Sequence, residues 1–269
     1  MTRIDLEEPR FKVARAVKHY QELAEAVTQF FAQQPFGVEH RRDQVPGYTT
    51  VHARVYQPVP KEIAGVVGDL IHNLRSALEY LAWQAEIANG KTPDKKTKFP
   101  VYDFRAAQWS TEKQRKELRG DQTNHKARFG SAAYAIVIEM HMPVGEYESE
   151  LGPLWMINTI DIHDKHHKLN VVGGAARVGN FNAAGPGVVS VEELMTFPGG
   201  DRHIVPFVDG LELMRVRLSN DSTTGMSYHY RYFLAFGHDG PGKGQELMQT
   251  CGRLIQFVDE SLERFAALT

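Results

Sequence analysis

Two stretches of this 269-residue chain concentrate the side chains that carry protons and charge. The first holds Asp69, His72, Asn73, Arg75 and Glu79, with Ser76, Tyr80 and Trp83 interleaved. On a helix these fall on one arc, opposite Val67, Leu70, Leu74, Ala77, Leu78, Leu81 and Ala85. An imidazole, an amide, a guanidinium and two carboxylates on one arc differ from the Lys/Glu mixture of a merely solvated face. Asp69 stands one turn from His72 and Asn73, close enough for a carboxylate to orient or charge the imidazole. The second stretch reads Asn158-Thr159-Ile160-Asp161-Ile162-His163-Asp164-Lys165-His166-His167. Asn158, Asp161 and Lys165 share a helical face, with Asp164 at its edge. His163 and His167 lie four apart on another face. Two imidazoles on consecutive turns can chelate a divalent metal, with Asp164 as their carboxylate neighbour. The same residues also suit a charged helix end, where His and Lys complement the helix dipole.

Helices are therefore needed to carry both stretches, and the pattern supplies them. Apolar spacing predicts a first helix over 11–33, ended at Gln34-Pro35. Extended segments follow at about 36–42 and 48–57, with Val51, Ala53 and Val55 alternating against His52, Arg54 and Tyr56 around a Val45-Pro46-Gly47 turn. Pro58 and Pro60 open a long helix at Lys61 that runs to Asn89-Gly90. Residues 91–98 form a basic linker. The strongly polar 105–129 predicts a short exposed helix and then a mobile loop, GDQTNHKARFG. Helices are predicted at about 131–142 and 151–168, split by Pro143 and Gly145. From 169 the chain changes to short extended runs at 169–178, 186–192, 203–208, 211–218 and 226–236. In the last, Met226, Tyr228, Tyr230, Tyr232, Leu234 and Phe236 point one way. An amphipathic helix over 244–267 follows, its stripe being Leu247, Cys251, Leu254, Val258, Leu262 and Phe265. Hairpin-like strands, not alternating βα units, predict an α+β fold: a helical bundle packed against a mostly antiparallel sheet. One domain over 1–269 is expected, helix-rich to 168 and β-rich over 169–240.

Composition narrows the classes. A net charge of −2 removes any global basic field for nucleic acid, although it allows a local patch. The single cysteine, Cys251, rules out a disulfide framework or a Cys-rich zinc module and reads as a small buried hydrophobe. No signal peptide or apolar run long enough to span a bilayer is present, so a cytoplasmic protein with no membrane partner is expected. Gly237 to Gly244 matches G-x4-G-K, but position 244 lacks the hydroxyl that would hold Mg²⁺, and no later parallel strands follow. It reads as a strand-to-helix turn.

The run Gly68-Asp69-Leu70-Ile71-His72-Asn73-Leu74-Arg75-Ser76-Ala77-Leu78-Glu79-Tyr80-Leu81-Ala82-Trp83, followed downstream by Asp161-Ile162-His163-Asp164-Lys165-His166, resembles a group of proteins from actinobacteria and their phages. Those proteins pair a D-x-x-H-N-x-R-S-A-L helix with a D-K-H segment. The resemblance covers the two helices and loosely the β-rich half, and it brings no activity with it. The first helix is also similar to the HEPN superfamily of helical ribonucleases and nucleotide-binding modules. Their mark is an Arg with a polar neighbour, followed four to six residues later by His. Arg75 with Ser76 fits the start and Tyr80 occupies the histidine position. The resemblance thus implies RNA cleavage with His72 or His166 as the general base.

Three functional expectations follow. The first is a nuclease-like hydrolase acting on a phosphodiester or similar polar bond of RNA or a small polar substrate. His72 would be the acid/base, oriented by Asp69, and Arg75 would stabilise negative charge. Asn73 and Glu79 would complete that arc, and Asp161, Lys165 and His166 would assist from the second helix. The second is a metal-dependent enzyme in which His163 and His167 hold a divalent ion with carboxylates among Asp161, Asp164, Asp69 and Glu79. The third is a binding or regulatory protein whose polar helices form a buried network or a homodimer interface. All three turn on whether residues 69–79 and 158–167 meet in one cleft.

Overall fold

Local chemistry sets where the elements begin and end. The computed structural model describes residues 3–102, 112–141, 152–166, 169, 171–178, 188–194, 204–218, 230–237 and 242–268. Helix α1 (Glu7–Ala32) starts with two acidic residues in its first turn, which suits the positive end of the helix dipole. It stops before Pro35, and β1 (Phe36–Arg42) and β2 (Tyr48–Val55) follow as an antiparallel pair in register from Phe36↔Val55 to Arg42↔Thr49. Helix α2 (Lys61–Ala88) opens behind Pro60. It closes over Gly90, whose φ of 71° lets the Lys91 N–H reach back to the Glu86 carbonyl at 2.9 Å.

Helix α3 (Glu112–Phe129) differs from expectation, because residues 120–129 continue the helix and do not form a mobile loop. Few apolar side chains mark it, so periodicity gives no signal. Polar ties hold it instead. Arg128 donates to Glu86 through Nε at 2.5 Å and Nη2 at 2.9 Å, and His125 Nδ1 bonds the Tyr102 hydroxyl at 2.8 Å. Helices α4 (Ser131–Glu139), α5 (Pro153–His166) and α6 (Leu247–Ala266) lie close to their predicted spans.

The strands form two antiparallel sheets. One has the order β1-β2-β6-β4, with β4 at Val188–Leu194 and β6 at Glu212–Leu218. The other is β5-β3-β7, with β3 at Val171–Val178, β5 at Ile204–Pro206 and β7 at Tyr230–Phe236. The fold is α+β. In β7 both faces are covered, since Phe233, Leu234, Ala235 and Phe236 are all buried. The predicted residues Met226 and Tyr228 of that strand lie outside the described residues.

The chain gathers in two compact units. Unit 1 comprises Met1–Leu23, Gly65–Leu169 and Met248–Thr269, and unit 2 comprises Ala24–Ala64 and Asn170–Leu247. Unit 1 is helical. Its core is built from the α2 stripe predicted above, from Leu154, Ile157 and Ile160 of α5, and from Cys251, Leu254, Val258, Leu262 and Phe265 of α6, all buried. Helices α1 and α6 meet there, with Arg10 donating to Glu263 at 2.7 Å. Unit 2 holds both sheets. Cys251 is buried, as expected, and burial pushes its thiol up to about 12. Among the described residues no helix is long and apolar enough to cross a membrane.

Candidate functional site

The two polar helices meet within unit 1. His72 of α2 and Asp161 of α5 are joined by a hydrogen bond of 3.0 Å from the imidazole Nδ1 to the carboxylate Oδ1. Each residue arrives there for a local reason. Asp161 sits among Ile157, Ile160 and Met156, whose burial turns that side of α5 inward, so its carboxylate is only 5% exposed. His72 lies at the edge of the buried α2 stripe and its side chain remains 53% exposed. The carboxylate that binds His72 is therefore Asp161, across the helix pair, whereas spacing along α2 pointed to Asp69.

Lys165, one turn after Asp161, donates its ammonium to Asp161 Oδ2 at 2.6 Å. The buried carboxylate thus has both oxygens occupied, one by an imidazole and one by a cation, which is what its removal from water demands. Arg75 is also close enough to feel Asp161. Burial lowers the guanidinium's pKa, while Glu79 and Asp161 pull it back up. Arg75 forms a close ion pair with Glu79 one turn on, and its Nη2 donates to the Phe99 carbonyl at 3.4 Å. Glu79 in turn accepts the Phe99 N–H at 2.9 Å, so the pair pins the chain after the basic linker onto α2. Arg75 Nη1 is buried with no hydrogen-bond partner among the described residues. Asn73 folds back on its own helix, donating to the Asp69 carbonyl at 2.8 Å.

Gly68 was missed as a site residue. A Cβ built there would fall 2.5 Å from Asp164 Oδ2 and 2.9 Å from its Cγ, so the missing side chain is what allows Asp164 to lie against α2 one turn before His72. The clue was a glycine inside a strong helical pattern, which often marks a close approach. Partial burial there raises the Asp164 carboxyl above its ordinary value, and the negative charges of Asp69 and Asp161 add to the shift. His163 and His72 oppose it. The structure therefore gathers Asp69, His72, Arg75, Asp161, His163, Asp164 and Lys165 where the two helices adjoin.

The metal expectation receives no such convergence. Among the described residues no group of three or more His, Cys, Asp or Glu side chains is placed to hold a metal ion. His167, one half of the expected pair, lies outside the described residues, as does the side chain of His166. Tyr80 is an exposed ring on α2 with the Lys12 ammonium 6.0 Å from its centroid. Compared with protein-family models, with curated proteins and with solved structures, the chain matches none of them.

Proposed function

We propose that the α2/α5 site is a general acid–base site of a nuclease-like hydrolase, acting on a phosphodiester or a similarly polar ester bond. The observation that carries this reading is the buried Asp161 gripping Nδ1 of a half-exposed His72. A carboxylate can only accept, so Nδ1 carries the proton and Nε2 keeps its lone pair in the neutral ring. That tautomer is the one a general base needs. Nε2 takes the proton of the attacking hydroxyl, and Asp161 stabilises the imidazolium that results. Lys165 supplies an ammonium beside the dyad for negative charge that develops on the substrate, while Arg75, paired with Glu79, holds the chain at Phe99 against α2. Asp164, whose carboxyl lies against α2 one turn before His72, is a second carboxyl within reach of the site. RNA is the substrate that the HEPN resemblance implies, with the base at His72 because Tyr80 fills the family's histidine position.

An RNA-cleavage assay tests this. Positioned acid–base groups contribute about 10²–10⁴-fold to rate, so His72→Ala and Asp161→Asn are expected to lose activity in that range. Arg75→Ala is expected to lose less, with a lower melting temperature from its broken tie to Phe99. Equal cleavage by wild type, His72→Ala and Asp161→Asn would remove the reading. Substitutions that change only the melting temperature or the oligomeric state would make the helix pair a structural network.

A further inference from the structure

Unit 2 contains an open depression of about 710 Å³ that plays no part in the α2/α5 site. Its volume is in the range of small-molecule sites. Phe31, Phe36 and Tyr232 line it, with ring centroids 6.0 Å apart for Phe31–Phe36 and 5.7 Å apart for Phe36–Tyr232. Gln33 and Gln34, just past the end of α1, and Tyr56, just past β2, complete the lining.

Tyr56 is the telling residue. It is 63% exposed, yet it is held in place. Its backbone N–H donates to the Pro35 carbonyl at 2.8 Å, and the phenol end of its ring crosses Gly37 so closely that a Cβ there would fall 2.8 Å from both Cε2 and the hydroxyl. Gln34 ends α1 in a left-handed conformation at φ 50°, with its backbone N–H bonded to the Phe31 carbonyl at 3.0 Å. An aromatic ring ordered but left in water is a pre-organised stacking surface. None of the lining side chains is charged. The polar groups are two carboxamides, of which Gln33 already donates one N–H to the Gln29 carbonyl at 3.3 Å, and two tyrosine hydroxyls. Together they suit a planar, uncharged heterocycle with donors and acceptors along its edge, stacked on an aromatic face.

We propose that this depression binds a nucleobase, stacked on Tyr56 and read along its edge by Gln33 and Gln34. The base belongs either to a free nucleoside or to a single strand. The site is independent of the acid–base reading of α2/α5.

Isothermal titration of the full chain with adenosine, guanosine, cytidine and uridine tests it, with ribose 5-phosphate as the control and a single-stranded RNA decamer as a further arm. At least one nucleoside is expected to bind saturably with one site per chain, and ribose 5-phosphate is not. Loss of a stacking or edge contact in Tyr56→Ala or Gln34→Ala is expected to weaken binding about tenfold or more, while Tyr56→Phe retains it. If Tyr56→Ala fails to fold, Gln34→Ala and Tyr56→Phe decide. Tighter binding of the decamer assigns the base to a strand, and equal affinity assigns it to a nucleoside. The proposal is overturned if no nucleoside saturates the protein at millimolar concentration, if ribose 5-phosphate binds equally, or if Gln34→Ala binds as wild type does. It is also overturned if the peptide Ac-Val-Tyr-Val-NH2 binds and the nucleosides do not. Cleavage without nucleoside binding would sink this proposal alone, and nucleoside binding without cleavage would sink the α2/α5 reading alone.

Discussion

Burying a carboxylate costs several kcal/mol unless its oxygens find charged or hydrogen-bonding partners, and unit 1 meets that demand twice in different ways. Glu86, almost wholly buried, is matched by Arg128 in a two-point pair and by the Thr97 hydroxyl at 3.0 Å. Everything around it is locked. Asp161 is matched by Lys165 and by His72, and both of these are half open to water. The acid–base role proposed for Asp161 rests on that contrast. Asp164 offers a direct check on the electrostatics of the site. Its folded pKa is raised above the ordinary value of 3.8, so the fold favours its protonated form. The contribution to stability is therefore fully present below the unfolded value and lost as pH rises through the folded one. Asp164→Asn is expected to melt at or above the wild-type temperature at pH 7, with the difference vanishing below about pH 3.8 in thermal melts across the pH range. A lower melting temperature at pH 7 would show that the ionised carboxylate is stabilising. The residue types of the site were legible in the sequence, but their pairing was not. Asp69 and Asp161 are equally plausible partners for His72 until the approach of α5 is known.

Helix α2 shows what an element's pattern does and does not reveal. Its apolar stripe places Val67, Leu70, Leu74, Ala77, Leu78, Leu81 and Ala85 in the core, as the 3.6-residue period requires. The same period says nothing about α3, whose helix rests on Arg128, His125 and backbone propensity. In α1 the buried face is Val13, Ala16, Leu23 and Phe30, and Val17 is left exposed. The glycines of α2 give a paired test. Gly65 has open space where a Cβ would go, whereas a Cβ at Gly68 meets Asp164. Gly65→Ala is expected to raise stability by roughly 0.5–1 kcal/mol, the helix-propensity gain. Gly68→Ala should gain less or nothing in urea unfolding, and it should change the cleavage rate by displacing Asp164. Equal stabilisation by both, with unchanged activity, would mean that the close approach of Asp164 has no part in the site.

At the scale of the whole chain, both units are assembled from separated segments, three for unit 1 and two for unit 2. The sequence showed the change from helices to strands near residue 169, but not that unit 2 also draws on residues 24–64, since a hairpin's pattern does not name its distant partner strand. The strand that β2 finds is β6, with Thr49 opposite Val216. Helix α6 contributes Cys251, Leu254, Val258, Leu262 and Phe265 to unit 1, each fully buried. At about 1.5–3 kcal/mol for a large buried apolar side chain, their removal is comparable to the whole stability of a domain. A chain ending at Gln245 is expected to lose the cooperative thermal transition of unit 1. Tryptophan fluorescence reads this selectively, because every tryptophan of the chain lies within 65–169. A sharp transition that survives the truncation would show that α6 is dispensable to that core.

The pairing of α1 with α6 also bears on how the molecule is made. Arg10 and Glu263 sit 253 positions apart, so the contact between them forms only after nearly all of the chain has left the ribosome. At roughly 5–20 residues per second, α1 waits on the order of ten seconds or more for its partner α6. The contact between His72 and Asp161, by contrast, needs only α2 and α5 and can form before α6 has been made.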